Sequence, residues 1–300
     1  MTSRFFQAAK WLAGAVCLAV SLQAVAGDAL YLEKEKYMKK MDELKLASFN
    51  VSFMTAEGKS ASTQSIDNFM GANSKLVVRT VGLENAELQK VVDAAYEDFV
   101  SKAKAAGFTV SYFDALALAP EWVSKEFKYR DNYSKDLSHY QVYSWMDDIT
   151  VAATGFPLLA HKDGGLVGWA AKEQDERPIT INYTIAPGYL MAKASKREDD
   201  FFNKIYNKTN VTFYPGVQVF WRSGAEIWLK KNKKGEIKIE EHIYKEVPAG
   251  KLTQNVKTDL PGRKAAELTL TVDPDLYYPH ALDILKQANT KIVDAMADAR

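Results

Sequence analysis

The stretch Asp93–Val110, "DAAYEDFVSKAKAAGFTV", holds most of an amphipathic helix, a glycine stop and the start of a strand. Leu88, Val91, Val92, Ala95, Phe99, Ala103 and Ala106 recur at the spacing that collects them on one side of a helix, while Lys90, Asp93, Glu97 and Lys104 fall on the other. Asn85 reads as the N-cap. Gly107 follows the last apolar position, where a helix commonly turns into left-handed backbone that only glycine adopts without a Cβ clash. "FTVSYF" then continues as a strand.

Upstream, Leu44–Thr55, "LKLASFNVSFMT", has strand composition. Its apolar alternation slips phase between Leu44/Leu46 and Phe49/Val51/Phe53, which predicts a β-bulge or a strand buried on both faces. Strand, helix and strand then form a right-handed βαβ unit. The intervening residues 56–75, "AEGKSASTQSIDNFMGANSK", read as a long polar loop. A phosphate-binding βαβ unit needs closely spaced glycines between its first strand and helix, so that backbone N–H groups can reach the phosphate. Here Gly58, Gly71 and Gly82 are scattered, and neither G-x-G-x-x-G nor a lysine-bearing phosphate loop occurs.

Downstream, residues 114–148 read as irregular, and 154–171, "TGFPLLAHKDGGLVGWAA", as a loop passing through or beside the core. After Arg177-Pro178 the pattern turns to β, with Ile179, Ile181, Tyr183 and Ile185 alternating onto one face. "VQVFWR", "AEIWLKK" and "EIKIEEHIYKEV" then predict an antiparallel meander, turning at Ser223-Gly224 and Asn232–Gly235. The chain closes with a strand and a helix. Asp273 is its cap, Pro274 its first residue, and Tyr278, Ala281, Leu285, Ala288, Ile292 and Ala295 its buried stripe.

The expected fold class is α+β: a βαβ unit plus a β-meander, packed by the internal helix and the C-terminal helix. The boundaries read as residues 1–26 for a signal peptide, 27–43 for a charged lead-in, 44–176 for the βαβ-containing part and 177–300 for the meander and closing helix, the last two possibly one continuous domain. The leader has Arg4 and Lys10, an apolar run from Trp11 to Leu22, and Ala24-Val25-Ala26 before Gly27, the pattern that signal peptidase cuts. It predicts export to the periplasm or medium. Val16 before Cys17 is a poor fit to a lipoprotein signal, so no lipid anchor is expected, and without Cys17 no thiol remains. No other apolar run approaches the ~20 residues of a membrane span. Loss of Arg4 and Lys10 turns 39 basic residues into 37 against 38 acidic, a net charge near −1 that favours neither nucleic acid nor an anionic membrane.

The segment "LKLASFNVSF … LQKVVDAAYEDFVSKAKAAGFTV", within residues 44–113, resembles the βαβ start shared by curli-secretion-type and flagellar outer-membrane accessory proteins and by the N-terminal domain of the Tol translocation protein. The whole chain is similar to an uncharacterised family of exported bacterial envelope proteins that closes on a "DPxxYxxxALDxLxxAN" helix, here "DPDLYYPHALDILKQAN". The resemblance implies a role in envelope assembly and protein contacts, and no reaction.

Candidate chemistry is sparse. The four histidines, His139, His161, His242 and His280, lack metal-ligand spacing; the best local cluster is Asp147, Asp148, His161 and Asp163. His161 beside Asp163 could serve a hydrolase, but no nucleophile elbow accompanies it. His242 reads as exposed on a polar strand phase. Trp221 shares the phase of Val217 and Val219 and reads as core, while Trp228 shares that of Glu226 and Lys230, so that it either marks an outward binding surface or packs under a loop or the closing helix. No cofactor is expected. The leading expectation is a non-catalytic protein that binds an envelope partner. One alternative is a carrier of an apolar or lipid-like ligand, lined by Phe156, Leu158, Leu159 and Trp169; the other is a hydrolase using His161. An aliphatic cavity would favour the carrier, an exposed aromatic patch the partner protein, and convergent His and Asp side chains the enzyme.

Overall fold

The computed structural model describes residues 30–33, 35–62, 72–125, 127, 146–159, 164–199, 204–221, 223–230, 233–260 and 263–300. Their twelve strands form one mixed sheet. In chain order these are β1 (Leu30–Glu33), β2 (Glu43–Ser62), β3 (Asn73–Val81), β4 (Thr109–Tyr112), β5 (Met146–Ala152), β6 (Pro178–Asp199), β7 (Lys204–Val219), β8 (Gly224–Lys230), β9 (Lys233–Ile239), β10 (Ile243–Glu246), β11 (Gly250–Leu260) and β12 (Arg263–Val272). The helices are α1 (Asn85–Ala105), α2 (Ala115–Leu118), α3 (Glu121–Ser124), α4 (Gly164–Gln174) and α5 (Pro274–Asp298). The longest path runs β1-β9-β8-β6-β2-β3-β12-β11. The architecture is α+β, with an internal and a C-terminal helix on a mixed sheet.

The predicted βαβ unit is present, since β2 pairs parallel with β4 and α1 lies between them in the chain. α1 ends as its sequence dictates. Gly107 has φ +88°, its N–H donates to the Lys104 carbonyl at 3.0 Å, and the Phe108 N–H donates to the Ala103 carbonyl at 3.0 Å. That pair of bonds caps carbonyls that would otherwise lack partners. The N-cap is Glu84 and not Asn85, and the Glu84 N–H donates to the Tyr278 hydroxyl of α5 at 2.8 Å. At the start of α5, the Asp273 carboxylate accepts from the Asp275 N–H at 3.1 Å, with Pro274 in the first turn.

Both helices pack on one face of the sheet. Leu88, Val92, Phe99, Ala281, Leu285 and Ile292 share a core cluster with Phe49, Val51, Phe53, Ile179, Ile181 and Tyr183 of β2 and β6. Asn289 of α5 ties the layers together. It accepts from the Tyr183 hydroxyl at 2.9 Å and donates to the Ala95 carbonyl at 2.8 Å and to the Asp98 carboxylate at 2.9 Å.

Three expectations need correction. Residues 56–62 and 73–75 of the predicted polar loop are strand, because β2 runs on to Ser62 and β3 returns antiparallel along it; residues 63–71 lie outside the described residues. Residues 164–171, within the segment read as loop, belong to α4. Its two leading glycines disguised it, and Gly164 serves packing: a Cβ there would lie 2.1 Å from the Trp228 ring. Lastly, Ser223-Gly224 is not a hairpin turn. β7 and β8 do not pair with each other; each pairs with a successive part of β6, and β10 pairs with β7. Among the predicted meander contacts, β8 with β9 is the hairpin that forms.

The phase slip in β2 is a register shift between Leu46 and Ser48, and Ser48, Asn50 and Ser52 on its second face are buried too. Two further shifts decide the shape of the molecule. β2 and β6 run parallel as neighbours as far as Phe53 and Ile185. Just beyond, β2 carries an extra residue between Met54 and Ala56, and β7, the partner of β6, carries one opposite Ala186–Gly188. An extra residue in a strand bends it and increases its twist. The two strands therefore part as a fork, with β3 taking over alongside β2 and β7 alongside β6. The branches face one another through Leu76, Val78 and Leu190 of the core, and the Ser74 and Thr209 hydroxyls meet at 2.8 Å.

Candidate functional site

The fork opens a cleft of about 290 Å³, lined by Glu57–Ser60 of β2, Tyr189 and Leu190 of β6, Gln218 of β7, Phe220 and Trp221 after β7, and His242 before β10. Strand parity explains the first wall. Glu57 pairs with Val78 and Lys59 with Leu76, and paired residues project to the same side, so both ionisable side chains face inward with the apolar ones. Where β6 leaves β2, its backbone loses a neighbour. Lys59 Nζ fills part of that gap, donating to the Leu190 carbonyl at 2.8 Å while lying 5.6 Å from the centre of the Tyr189 ring.

Electrostatics follow from burial. Burial pushes the Glu57 carboxyl up to about 7, with Lys59 pulling the other way, so much of it carries its proton near neutral pH. Burial likewise pushes His242 down to about 4, helped by Lys59, and the ring is neutral. Its Nδ1 accepts from the Trp221 N–H at 3.3 Å, so Nε2 bears the hydrogen and is a donor. The ring packs edge-on against Phe220 at 4.7 Å and Tyr189 at 5.7 Å. Gln218 is 1% exposed, and neither atom of its side-chain amide has a hydrogen-bond partner among the described residues. The cleft thus combines one cation, one neutral imidazole donor, a carboxyl that titrates near neutrality and an amide with both capacities unused. Past Trp221 a wider groove begins, lined by Tyr31, Glu236, Lys238, Ile239, Glu240 and Glu241.

The residues singled out from sequence lie elsewhere, apart from Trp221 and His242. Phe156 is half-buried against Tyr96 and Tyr112 at 5.2 and 5.3 Å. Leu158 packs with Ala152, Leu159 joins the cluster under α4, and Trp169 stands edge-on to Trp122 at 4.9 Å. Phe156 and Leu158 belong to one apolar cluster and Leu159 and Trp169 to another, and none of the four is among the described residues that line the fork cleft. His161, Asp163 and the side chain of Asp147 lie outside the described residues, and Asp148 is buried on β5. Among the described residues, no three His, Cys, Asp or Glu side chains converge as metal ligands.

Trp228 is 5% exposed and so is not a partner surface. Its strand phase is as predicted, but that face lies under α4, and the indole N–H donates to the Thr180 hydroxyl at 3.2 Å. His242 is half-buried instead of exposed, because it sits in the connection between β9 and β10 and not on a strand. Trp221, expected in the core, is half-buried at the mouth of the cleft for a similar reason: β7 ends at Val219, and the alternation lapses with it. Sequence reasoning did not single out Glu57, Lys59 or Gln218. The available signal was Gln218 itself, a lone amide between Val217 and Val219 in a strong strand.

No helix among the described residues is long and apolar enough to cross a membrane. Comparison of the chain with protein-family models, with curated proteins and with solved structures returned no match.

Proposed function

We propose that this chain is an exported, non-catalytic binding protein of the bacterial envelope, and that it holds a small polar ligand in the fork cleft. The observation that carries the reading is the buried, unpartnered amide of Gln218 facing that cleft. Burying an amide without a hydrogen bond costs roughly 1–3 kcal/mol, a cost that a ligand bonding to it would offset. The polar lining argues against an apolar or lipid-like cargo at this place. Catalysis has less support, since an imidazole held at about 4 with its Nδ1 occupied is a poor general base near neutral pH. The leader-type residues 1–26 and the resemblance of residues 44–113 support the envelope placement. Intact-mass measurement of material from the periplasm should show a chain starting near Gly27 without an acyl group; a lipidated Cys17 would refute that part.

The site is tested by thermal-shift screening of the processed chain against a chemically diverse set of small polar compounds, in parallel with Lys59→Trp, which places a large ring on the inward side of β2 and obstructs the cleft. Stabilising compounds that lose their effect in the variant support the reading. Compounds that act equally on both proteins would place binding elsewhere.

A second reading, a protein partner that adds a strand, is favoured by β11. This strand ends the sheet order, pairs with β12 alone, and is exposed from Lys251 to Thr258. An open edge offers backbone donors and acceptors to another chain. A photocrosslinker at Thr253 should then trap a partner in cells, and Leu252→Pro should abolish the adduct. An adduct that survives the proline would exclude strand addition.

A further inference from the structure

Resting on the reading of the fork cleft as a ligand site, we infer that its ligand is a small carboxylate anion, held by Lys59, His242 and Gln218, and that the anion enters together with one proton residing on Glu57. The lining decides the ligand's charge. Lys59 is the permanent cation among the described lining residues, and its Nζ has hydrogens left after donating to the Leu190 carbonyl. Nε2–H of His242 and the amide hydrogens of Gln218 are further donors. A site richer in donors than in acceptors, with a positive charge, selects an acceptor-rich anion and repels a cation. A lone lysine suits a monoanion better than a phosphate dianion. At about 290 Å³ the cleft lies at the lower end of small-ligand sites, roughly 300–1,000 Å³, which excludes an extended acyl chain from its interior.

Glu57 determines whether the anion is accepted. The ionisable groups around it are Lys59 from its own strand, Tyr189 from β6 and His242 from the connection before β10, with the neutral Gln218 from β7. Ionised, the carboxylate would neutralise Lys59 and repel a second carboxylate. Protonated, it leaves the lysine charge for the ligand and adds an O–H donor. Bound anion and bound proton therefore favour each other, each raising the affinity for the other by the same factor. Since burial already places the Glu57 carboxyl near 7, the exchange falls in the neutral range.

The test is isothermal titration of the processed chain with acetate, lactate, glutarate and benzoate, each beside its primary amide, and with inorganic phosphate. At least one acid should bind, with its amide about tenfold or more weaker, the scale of a lost charge-assisted bond. Affinity should rise by roughly tenfold as pH falls from about 8 to about 6, with proton uptake visible as a heat that changes with the buffer's ionisation enthalpy. Glu57→Gln keeps a donor but cannot titrate, so it should retain binding and lose the pH dependence. Lys59→Met should lower affinity about tenfold or more. Acid and amide binding equally, phosphate displacing every acid, affinity indifferent to pH, or Lys59→Met without effect would each overturn the inference. If the amides bind as well as the acids and both are lost in Lys59→Trp, which fills the cleft from the inward side of β2, the cleft remains a ligand site and only the carboxylate assignment falls. If no compound of either kind binds the folded chain, both fall.

Discussion

Gln218→Met should make the protein more stable. The substitution keeps side-chain length and approximate volume, so packing around the site is conserved, and it removes two polar atoms that are buried without partners. Mutational data place the cost of such an amide at roughly 1–3 kcal/mol, and the exchange returns that amount with a small further gain from a more apolar surface. For a chain of this size, each kcal/mol moves the midpoint of thermal unfolding by about 2–4 °C, so a rise of about 2–12 °C is expected. Differential scanning calorimetry at pH 7, with urea unfolding as the isothermal check, measures it. The urea slope should stay unchanged, since the surface exposed on unfolding is the same. Ligand affinity should fall in the same variant, giving stability and binding changes of opposite sign. A midpoint lowered by more than about 2 °C would show that the amide is bonded in the folded chain. Gln218 would then be a structural residue, and the proposed function would lose its carrying observation.

Three further outcomes follow from the geometry. Glu57 titrates at about 7 in the folded chain against 4.5 in the unfolded one, so the folded state keeps an extra proton between those values and loses about 3 kcal/mol as pH rises through the window. His242, pushed from 6.5 down to about 4, works in the opposite sense and loses stability as pH falls through that range. Between about pH 4.5 and 6.5 the two slopes oppose, so Glu57→Gln should lose stability on acidification more steeply than the parent in urea titrations; parallel profiles would contradict the burial of the carboxyl. Asn289→Leu strands the Tyr183 hydroxyl and removes one bond each from the Ala95 carbonyl, which keeps its helical bond, and the Asp98 carboxylate, which keeps its ion pair with Lys102, and should cost about 1–3 kcal/mol. Tyr183→Phe should cost less, with the double mutant short of the sum; additivity would mean the network is not coupled. Phe99→Ala, fully buried against Phe49 at a ring separation of 5.9 Å, should cost about 3–5 kcal/mol, and Gly107→Val more than about 1 kcal/mol, while exposed Lys104→Ala is nearly silent. Equal effects from these three would refute the helix phase.

The features that the sequence determined on its own are those whose causes lie within a few residues. The stripe of α1, its Gly107 stop, the Asp273 cap and Pro274 start of α5, the alternation Ile179–Ile185 and the slipped phase of β2 all arise from periodicity or from bonds spanning at most five positions. Tertiary structure alone decided which face meets water and which strand meets which. Trp228 has its predicted phase and is buried all the same, because α4 covers it, and α4 was masked by two leading glycines, of which Gly164 makes room for Trp228. β7 and β8 could not be assigned to β6 from their own residues, since Ser223-Gly224 is a good local turn that pairing with β6 overrides. The cleft was the least legible part. It exists because a bulge in β2 and one in β7, the partner of β6, coincide at one end of the β2–β6 pairing, and desolvation, a property of everything packed around a group, is what moves Glu57 and His242 away from their ordinary chemistry.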